Sequence, residues 1–243
     1  MDATHVVALR GLPDPAQAAQ LRRLLPDAEW QWITRLRQSG DRLRSLTARA
    51  LVRQMLAHRL GVPPADIALA AGPRGKPALA DPAGWHFNLA HSGDHVLAAV
   101  GVQALGVDVE TCPQRVDAAL FRFATGRDPD GAAPAGPQDG GRDGAVPPQR
   151  DTQTFCAEWV CREAVLKACG LGLSVEPGCL RLQSAGEGWL RVSGLPAAEG
   201  LHVRLLWQSP ADCAALCLPA PGPAWRLTRL DLSAWLESAG LPG

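Results

Sequence analysis

Two long helical segments, each followed by an antiparallel hairpin, constrain this chain more than any other feature. The first runs over Ala28 to Gly61 and is rich in Ala, Leu, Arg and Gln. Leu43, Leu46, Ala50 and Leu51 recur in it at helical spacing. Gly61 closes it, and Pro63-Pro64 prevents its continuation. The second runs over Phe155 to Cys169 and ends at Gly170 and Gly172. A weak repeat links the two. Leu60-Gly61-Val62 returns as Leu171-Gly172-Leu173 after 111 residues, with Ala57 matching Ala168. His86, Leu89, Ala98 and Ala99 return as His202, Leu205, Ala214 and Ala215 after 116. The expected fold is α+β: a pseudo-dimer of two similar halves, residues 1–112 and 113–225, with a ligand cleft between them and 226–243 as a C-terminal extension.

The remaining elements fill that frame. Val6 to Leu9 reads as a strand, and Pro13 to Leu25 as a turn and a helix. Ile67 to Leu79 is extended around the Arg74-Gly75-Lys76-Pro77 turn. Trp85 to Leu89, Val96 to Val100 and Gly106 to Glu110 read as strands with tight turns between them. Leu180 to Gln183, Trp189 to Val192, Val203 to Trp207 and Ala214 to Leu218 read the same way, and Asp231 to Ser238 as a short helix. Residues 126–151 are dense in Gly, Pro, Asp and Ala. They bury too little to offset the entropy of ordering, so a flexible loop is expected there.

Composition excludes several classes. The 243 residues carry 24 basic and 24 acidic side chains, a net charge of zero. That balance argues against a general attraction to nucleic acid or to a membrane, though not against a local basic cleft. No run of 18 apolar residues is present, and Met1-Asp2-Ala3-Thr4 has no signal-peptide character. The seven cysteines show neither CxxC nor zinc-finger spacing, so they read as reduced core thiols of a cytoplasmic protein.

Lysine usage points at chemistry. Lys76 and Lys167 are the only lysines against 22 arginines. A chain that uses arginine wherever the two are equivalent keeps lysine by chance, or where a compact ammonium is needed. Lys76 sits in the Gly75-Lys76-Pro77 turn, which would aim a point charge at an anion or merely expose it. Lys167 follows Glu163 by four on an apolar helix, so the two share a face. They form either an ordinary surface pair or part of a site. In Gly106-Val107-Asp108-Val109-Glu110, strand alternation puts Asp108 and Glu110 on one face. Two adjacent carboxylates need something positive between them, a divalent metal or a basic side chain, unless the strand end is simply exposed. With Glu163 they would make an oxygen-rich site suited to Mg²⁺. His91 and Ser92 fall just past a strand end, where ligand contacts are common, but adjacent residues point apart and argue against a nucleophilic pair. Arg35, Arg37, Arg42, Arg44, Arg49, Arg53 and Arg59 read mainly as a solvated face, with one or two left for a phosphate.

In combination these segments resemble the Sfp-type 4′-phosphopantetheinyl transferases, in the subgroup with a W-x-x-K-E-A helix. Similar proteins carry GKP, FN(L/I)SHS, G(V/I)D(V/I)E and W-x-x-K-E-A-x-x-K in that order. Here they read Gly75-Lys76-Pro77, Phe87-Asn88-Leu89-Ala90-His91-Ser92, Gly106 to Glu110, and Trp159 to Lys167. The resemblance implies a cytoplasmic, monomeric, Mg²⁺-dependent enzyme. It would move 4′-phosphopantetheine from coenzyme A to a serine of an apo acyl or peptidyl carrier protein and release 3′,5′-ADP. It assigns Asp108, Glu110 and Glu163 to the metal, with Glu163 also taking the serine proton, directly or through water. It assigns Lys167 to the phosphates, and Arg44, Lys76 and His91 to the nucleotide end of the coenzyme. A non-catalytic coenzyme A or carrier-protein binding module of the same fold is the alternative. Ala90, Arg162 and the pair Trp30 and Trp32 depart from the pattern of the family.

Overall fold

The computed structural model describes residues 3–72, 75–81, 84–128, 149–220 and 224–240, with the backbone alone at 149–151. Strand β1 (Thr4–Arg10) leads into helices α1 (Pro15–Arg22), α2 (Asp27–Thr34) and α3 (Ser39–Leu60). A two-stranded hairpin, β2 (Leu69–Ala71) and β3 (Pro77–Leu79), precedes β4 (His86–Ser92), β5 (His95–Gly101) and β6 (Gly106–Thr111). Helices α4 (Ala118–Thr125) and α5 (Gln149–Cys169) are followed by β7 (Arg181–Ser184), β8 (Leu190–Ser193), β9 (His202–Gln208) and β10 (Asp212–Leu218). Strand β11 (Trp225–Asp231) and helix α6 (Leu232–Ser238) close the chain.

The strands form two larger sheets, ordered β11-β1-β5-β4 and β6-β10-β9-β8-β7. Period-two alternation gives each sheet two apolar faces and stacks the molecule as helix, sheet, sheet, helix. Val7, Leu9, Val96, Ala98 and Val100 pack with Leu46, Leu51 and Leu56 of α3. Their neighbours Val6, Ala8, Leu97 and Ala99 face Val107, Val109, Ala214 and Leu216 of the second sheet. The far side of that sheet, Cys213, Ala215 and Cys217, packs on Val160, Ala164 and Val165 of α5. Strand β5 is therefore buried along its whole length.

The two sheets share a strand pattern. β1, β5 and β4 lie side by side as antiparallel neighbours, and so do β6, β10 and β9. A helix of about six turns precedes each hairpin, and the weak sequence repeat falls on these equivalent elements. Leu89 pairs with Ala98 while Leu205 pairs with Ala215, because an irregularity after Ala214 shifts the second ladder by one residue.

Several expectations need correction. The single helix expected over Ala28 to Gly61 is two, α2 and α3, broken after Thr34. Gly61 does end α3, in the left-handed conformation that glycine adopts cheaply. His91 and Ser92 are the last residues of β4 rather than residues past its end. Helix α5 begins at Gln149, inside the expected loop 126–151, and its Phe155 packs on Phe121 and Ala124 of α4. Residues 129–148 of that loop, and Arg74 of the turn, lie outside the described residues. Sequence reading missed α4 and β11. Strand β11 runs parallel to β1 and completes the first sheet, a pairing no local pattern announces.

The arginines of α3 are not mainly solvated. Arg53 is 1% exposed, donates to the carbonyls of Pro64 and Ile67, and shares Glu29 with Arg49. Glu29 thereby clamps α2 to α3. Removing one partner of a buried ion pair leaves an uncompensated charge. Glu29→Ala is expected to cost about 3 kcal/mol, read as a lower denaturant midpoint with an unchanged slope. Trp32 is exposed but lies 4.5 Å under the Arg49 guanidinium, and Trp30 lies 5.5 Å from that of Arg22, so both tryptophans are paired with cations.

Candidate active site at the seam of the two sheets

The outer strands β4 and β6 meet where the two sheets join. Asn88 of β4 is buried there and accepts the Val107 N–H at 2.8 Å, a side chain serving as a rung between strands of different sheets. Four residues further along β4, Ser92 Oγ donates to Glu110 Oε2 at 2.7 Å and accepts the Thr111 N–H at 3.1 Å. Sequence reading gave neither Asn88 nor Ser92 this positioning task. Hydrogen-bonding side chains at the end of a strand that meets another sheet were the available signal.

Alternation works as expected on β6. Val107 and Val109 enter the layer between the sheets, and Asp108 and Glu110 face α5. Asp108 is 3% exposed and accepts from Lys167 Nζ at 2.6 Å. Lys167 therefore pairs across to β6 rather than with Glu163 along its own helix. Burial opposes its charge, but Asp108 first, then Glu163 and Glu110, outweigh that and hold its pKa above the usual lysine range. Glu163 is buried. Burial pushes its carboxyl up to about 7; Lys167 opposes the rise, and Asp108 and Glu110 add to it. Burial also raises Glu110, with Asp108 adding and the Ser92 and Trp159 hydrogen bonds opposing.

Two buried carboxylates, Asp108 and Glu163, and the half-buried Glu110 around one ammonium leave negative charge in excess. Asp108 Oδ2 and Glu163 Oε1 are buried and accept no hydrogen bond among the described residues. Orphaned buried acceptors of this kind are costly unless a cation serves them. The donor set is hard oxygen, which fits Mg²⁺. No trio of carboxylate oxygens lies within 4.8 Å of one another among the described residues, since Lys167 holds Asp108 and Ser92 holds Glu110.

The other expected residues line the same region. Arg44 of α3 donates to the Gly93 carbonyl at 2.9 Å and to Asp41 at 2.6 Å. His91 is pushed below its usual pKa by burial and by the Lys167 and Arg44 cations, which keeps the imidazole neutral at pH 7. Lys76 departs from expectation. Its Nζ donates to the carbonyl of Lys167 at 2.6 Å and to that of Leu105 at 3.4 Å, so it caps the C-terminal turn of α5. An ammonium has three donors, and these bonds use two of them among the described residues. A cavity of about 470 Å³ opens beside it, lined by Lys76, Pro77, Trp85, Phe87 and Gly170.

Two departures from the family pattern have structural accounts. Ala90 is buried in the apolar layer between the sheets, where a hydroxyl would need a partner. Arg162 points away from Glu163. It binds the carbonyls of Leu180, Pro177 and Thr125 and the Glu158 carboxylate, fastening α5 to α4.

The fold and site together define an α+β protein of four layers, helix, sheet, sheet and helix, with an acidic, lysine-bearing cluster at the seam of its sheets. Comparison with known proteins is specific. Residues 12–103 match a family model described as 4′-phosphopantetheinyl transferase, N-terminal. The chain is 34% identical over 166 residues to a phosphopantetheinyl transferase of Thraustochytrium, covering 66% of this chain and 58% of that one. It is 27% identical over 225 residues to the 4′-phosphopantetheinyl transferase psf-1 of Bacillus pumilus, covering 90% of each. A Bacillus subtilis 4′-phosphopantetheinyl transferase is 29% identical over 182 residues, covering 74% of this chain and 76% of that one. The match thus spans under two thirds of the Thraustochytrium protein and nearly all of the Bacillus pumilus one. Over these spans the chain is similar to 4′-phosphopantetheinyl transferases.

Proposed function

We propose that this protein transfers the 4′-phosphopantetheine group of coenzyme A to a serine of an apo acyl or peptidyl carrier protein and releases 3′,5′-ADP. The observation that carries the reading is the pair of orphaned carboxylate oxygens, on Asp108 and Glu163, buried beside Lys167. Asp108, Glu110 and Glu163 would hold Mg²⁺, whose charge neutralises the coenzyme pyrophosphate when bound. Lys167 places a second positive charge beside the phosphates, fixed in advance by Asp108. Glu163, raised toward neutrality, is matched to accept the serine proton as the serine oxygen bonds to phosphorus and the bond to 3′,5′-ADP breaks. Arg44, His91 and the remaining donor of Lys76 would orient the nucleotide end, with the adjoining cavity taking its apolar surface.

The shared strand pattern supports reading residues 1–112 and 113–225 as halves of a pseudo-dimer, with β6 handed across to the second sheet and 226–243 returning to the first. No helix among the described residues is long and apolar enough to cross a membrane. We read the protein as a cytoplasmic monomer.

Intact-mass spectrometry of an apo carrier protein incubated with this protein, coenzyme A and Mg²⁺ tests the reading. A gain of one phosphopantetheine group, abolished by EDTA, is the expected result. No gain across several carriers while coenzyme A still binds would leave a binding module instead. Lys167→Arg is expected to lower kcat/KM by ~10–100-fold, because a planar guanidinium cannot take the place of a point ammonium 2.6 Å from Asp108. Full activity in that variant would remove Lys167 from the phosphates.

A further inference from the structure

We propose that Cys112, Cys156 and Cys213 form a three-thiolate site for a single soft metal ion, directly behind the carboxylate strand β6. The three sulfur atoms lie within 4.8 Å of one another. They come from three elements: Cys112 follows β6, Cys213 begins the buried part of β10, and Cys156 projects from α5. The β6–β10 ladder brings the first two together. Cys213 pairs with Glu110, and Cys112 lies two residues beyond Glu110 on the same face of the sheet. Helix α5 covers that face and supplies the third.

The spacing suits coordination better than the other fates of thiols. A tetrahedral metal with bonds of about 2.3 Å to sulfur separates its sulfur ligands by about 3.8 Å. Cys112 Sγ and Cys213 Sγ are 3.8 Å apart. A disulfide needs about 2.05 Å and an oxidant as well. Besides one another, the thiols contact backbone carbonyls at long range, 3.9 Å from Cys112 to Ser209 and 3.8 Å from Cys156 to Glu110. Cys156 and Cys213 are buried and Cys112 is partly exposed, so an ion has a way in through Cys112. Sulfur selects Zn²⁺, Cd²⁺ or Cu⁺ over Mg²⁺, so this site and the carboxylate site would not compete for one ion. Three protein ligands leave a fourth position for water. Each thiol loses its proton to solvent as its bond to the metal forms. The bound ion would tie the end of β6 to β10 and α5, the elements that carry Glu110 and Glu163.

The test uses the full chain with Cys169→Ser and Cys179→Ser, which removes the accessible thiols outside the cluster; Cys161 and Cys217 are buried. Cd²⁺ is titrated under a non-thiol reductant while the ultraviolet thiolate-to-metal charge-transfer band is followed. Zn²⁺ is then competed against a chromophoric chelator. One equivalent is expected, with a rise in thermal midpoint. Adding Cys112→Ser, at the least buried ligand, is expected to weaken Zn²⁺ at least tenfold while leaving the fold intact by circular dichroism. Cys213→Ser should do the same where it folds. No charge-transfer band, or a band that Cys112→Ser leaves unchanged, overturns the proposal.

Discussion

Glu163→Gln is expected to bind coenzyme A nearly as well as the wild-type chain and to lose ~10²–10⁴-fold in kcat, the usual contribution of a positioned general base. Glutamine keeps the shape and removes both the charge and the proton acceptor. The same substitution has a second signature. Burial holds Glu163 above the usual 4.5, up to about 7, with Lys167 opposing and Asp108 and Glu110 adding. A carboxyl whose folded pKa lies above its unfolded value binds its proton more tightly when folded. Its contribution is therefore favourable below about pH 4.5 and is lost as pH rises through about 7. In EDTA, the wild-type thermal midpoint should fall relative to that of Glu163→Gln across this window, leaving the variant the more stable at neutral pH. A variant that is inactive and more stable marks a group kept for function at a cost in stability. Wild-type turnover in Glu163→Gln would remove the residue from proton transfer, and parallel pH curves would remove its burial cost.

Gly106→Ala is expected to destabilise the fold and the site together. A Cβ there would collide with the Ala164 carbonyl oxygen and come within 2.5 Å of the Ala168 nitrogen, both in the backbone of α5. Neither can turn aside as a flexible side chain would. The strand and the helix must separate, at about 3 kcal/mol, the upper end for overpacking. For a chain of this size that lowers the thermal midpoint by ~10 °C. Separation also draws Asp108 away from Lys167, so activity should fall further than the loss of folded protein explains. Differential scanning calorimetry and kcat per folded molecule check the two parts. A wild-type midpoint would show that β6 and α5 do not meet so closely.

Gly106 also shows where reading the sequence stopped. The glycine was visible as the start of Gly-Val-Asp-Val-Glu, but its reason, a helix backbone pressed on a strand, is a contact between residues 58 apart. Alternation placed Asp108 and Glu110 on one face because a strand has period two, whatever packs on it. The same locality made α3, α5 and the hairpins legible, and lysine scarcity pointed at Lys167. Lys76 shows the limit of that argument. Its rarity was plain, but its bonds to the C-terminal turn of α5 depend on how the β2–β3 hairpin docks.

What the sequence by itself determined is whatever a short window encodes: helix periodicity, strand alternation, terminating glycines and prolines, and motif order. Tertiary structure alone decided the rest. It paired β11 with β1 across more than 200 residues, sent Lys167 to Asp108 instead of Glu163, and gathered Cys112, Cys156 and Cys213 from positions with no telling spacing. The physical reason is common to all three. Backbone propensity acts between neighbours in the chain, whereas the partner of a buried charge, a strand edge or a thiol is chosen by which surfaces the core brings together.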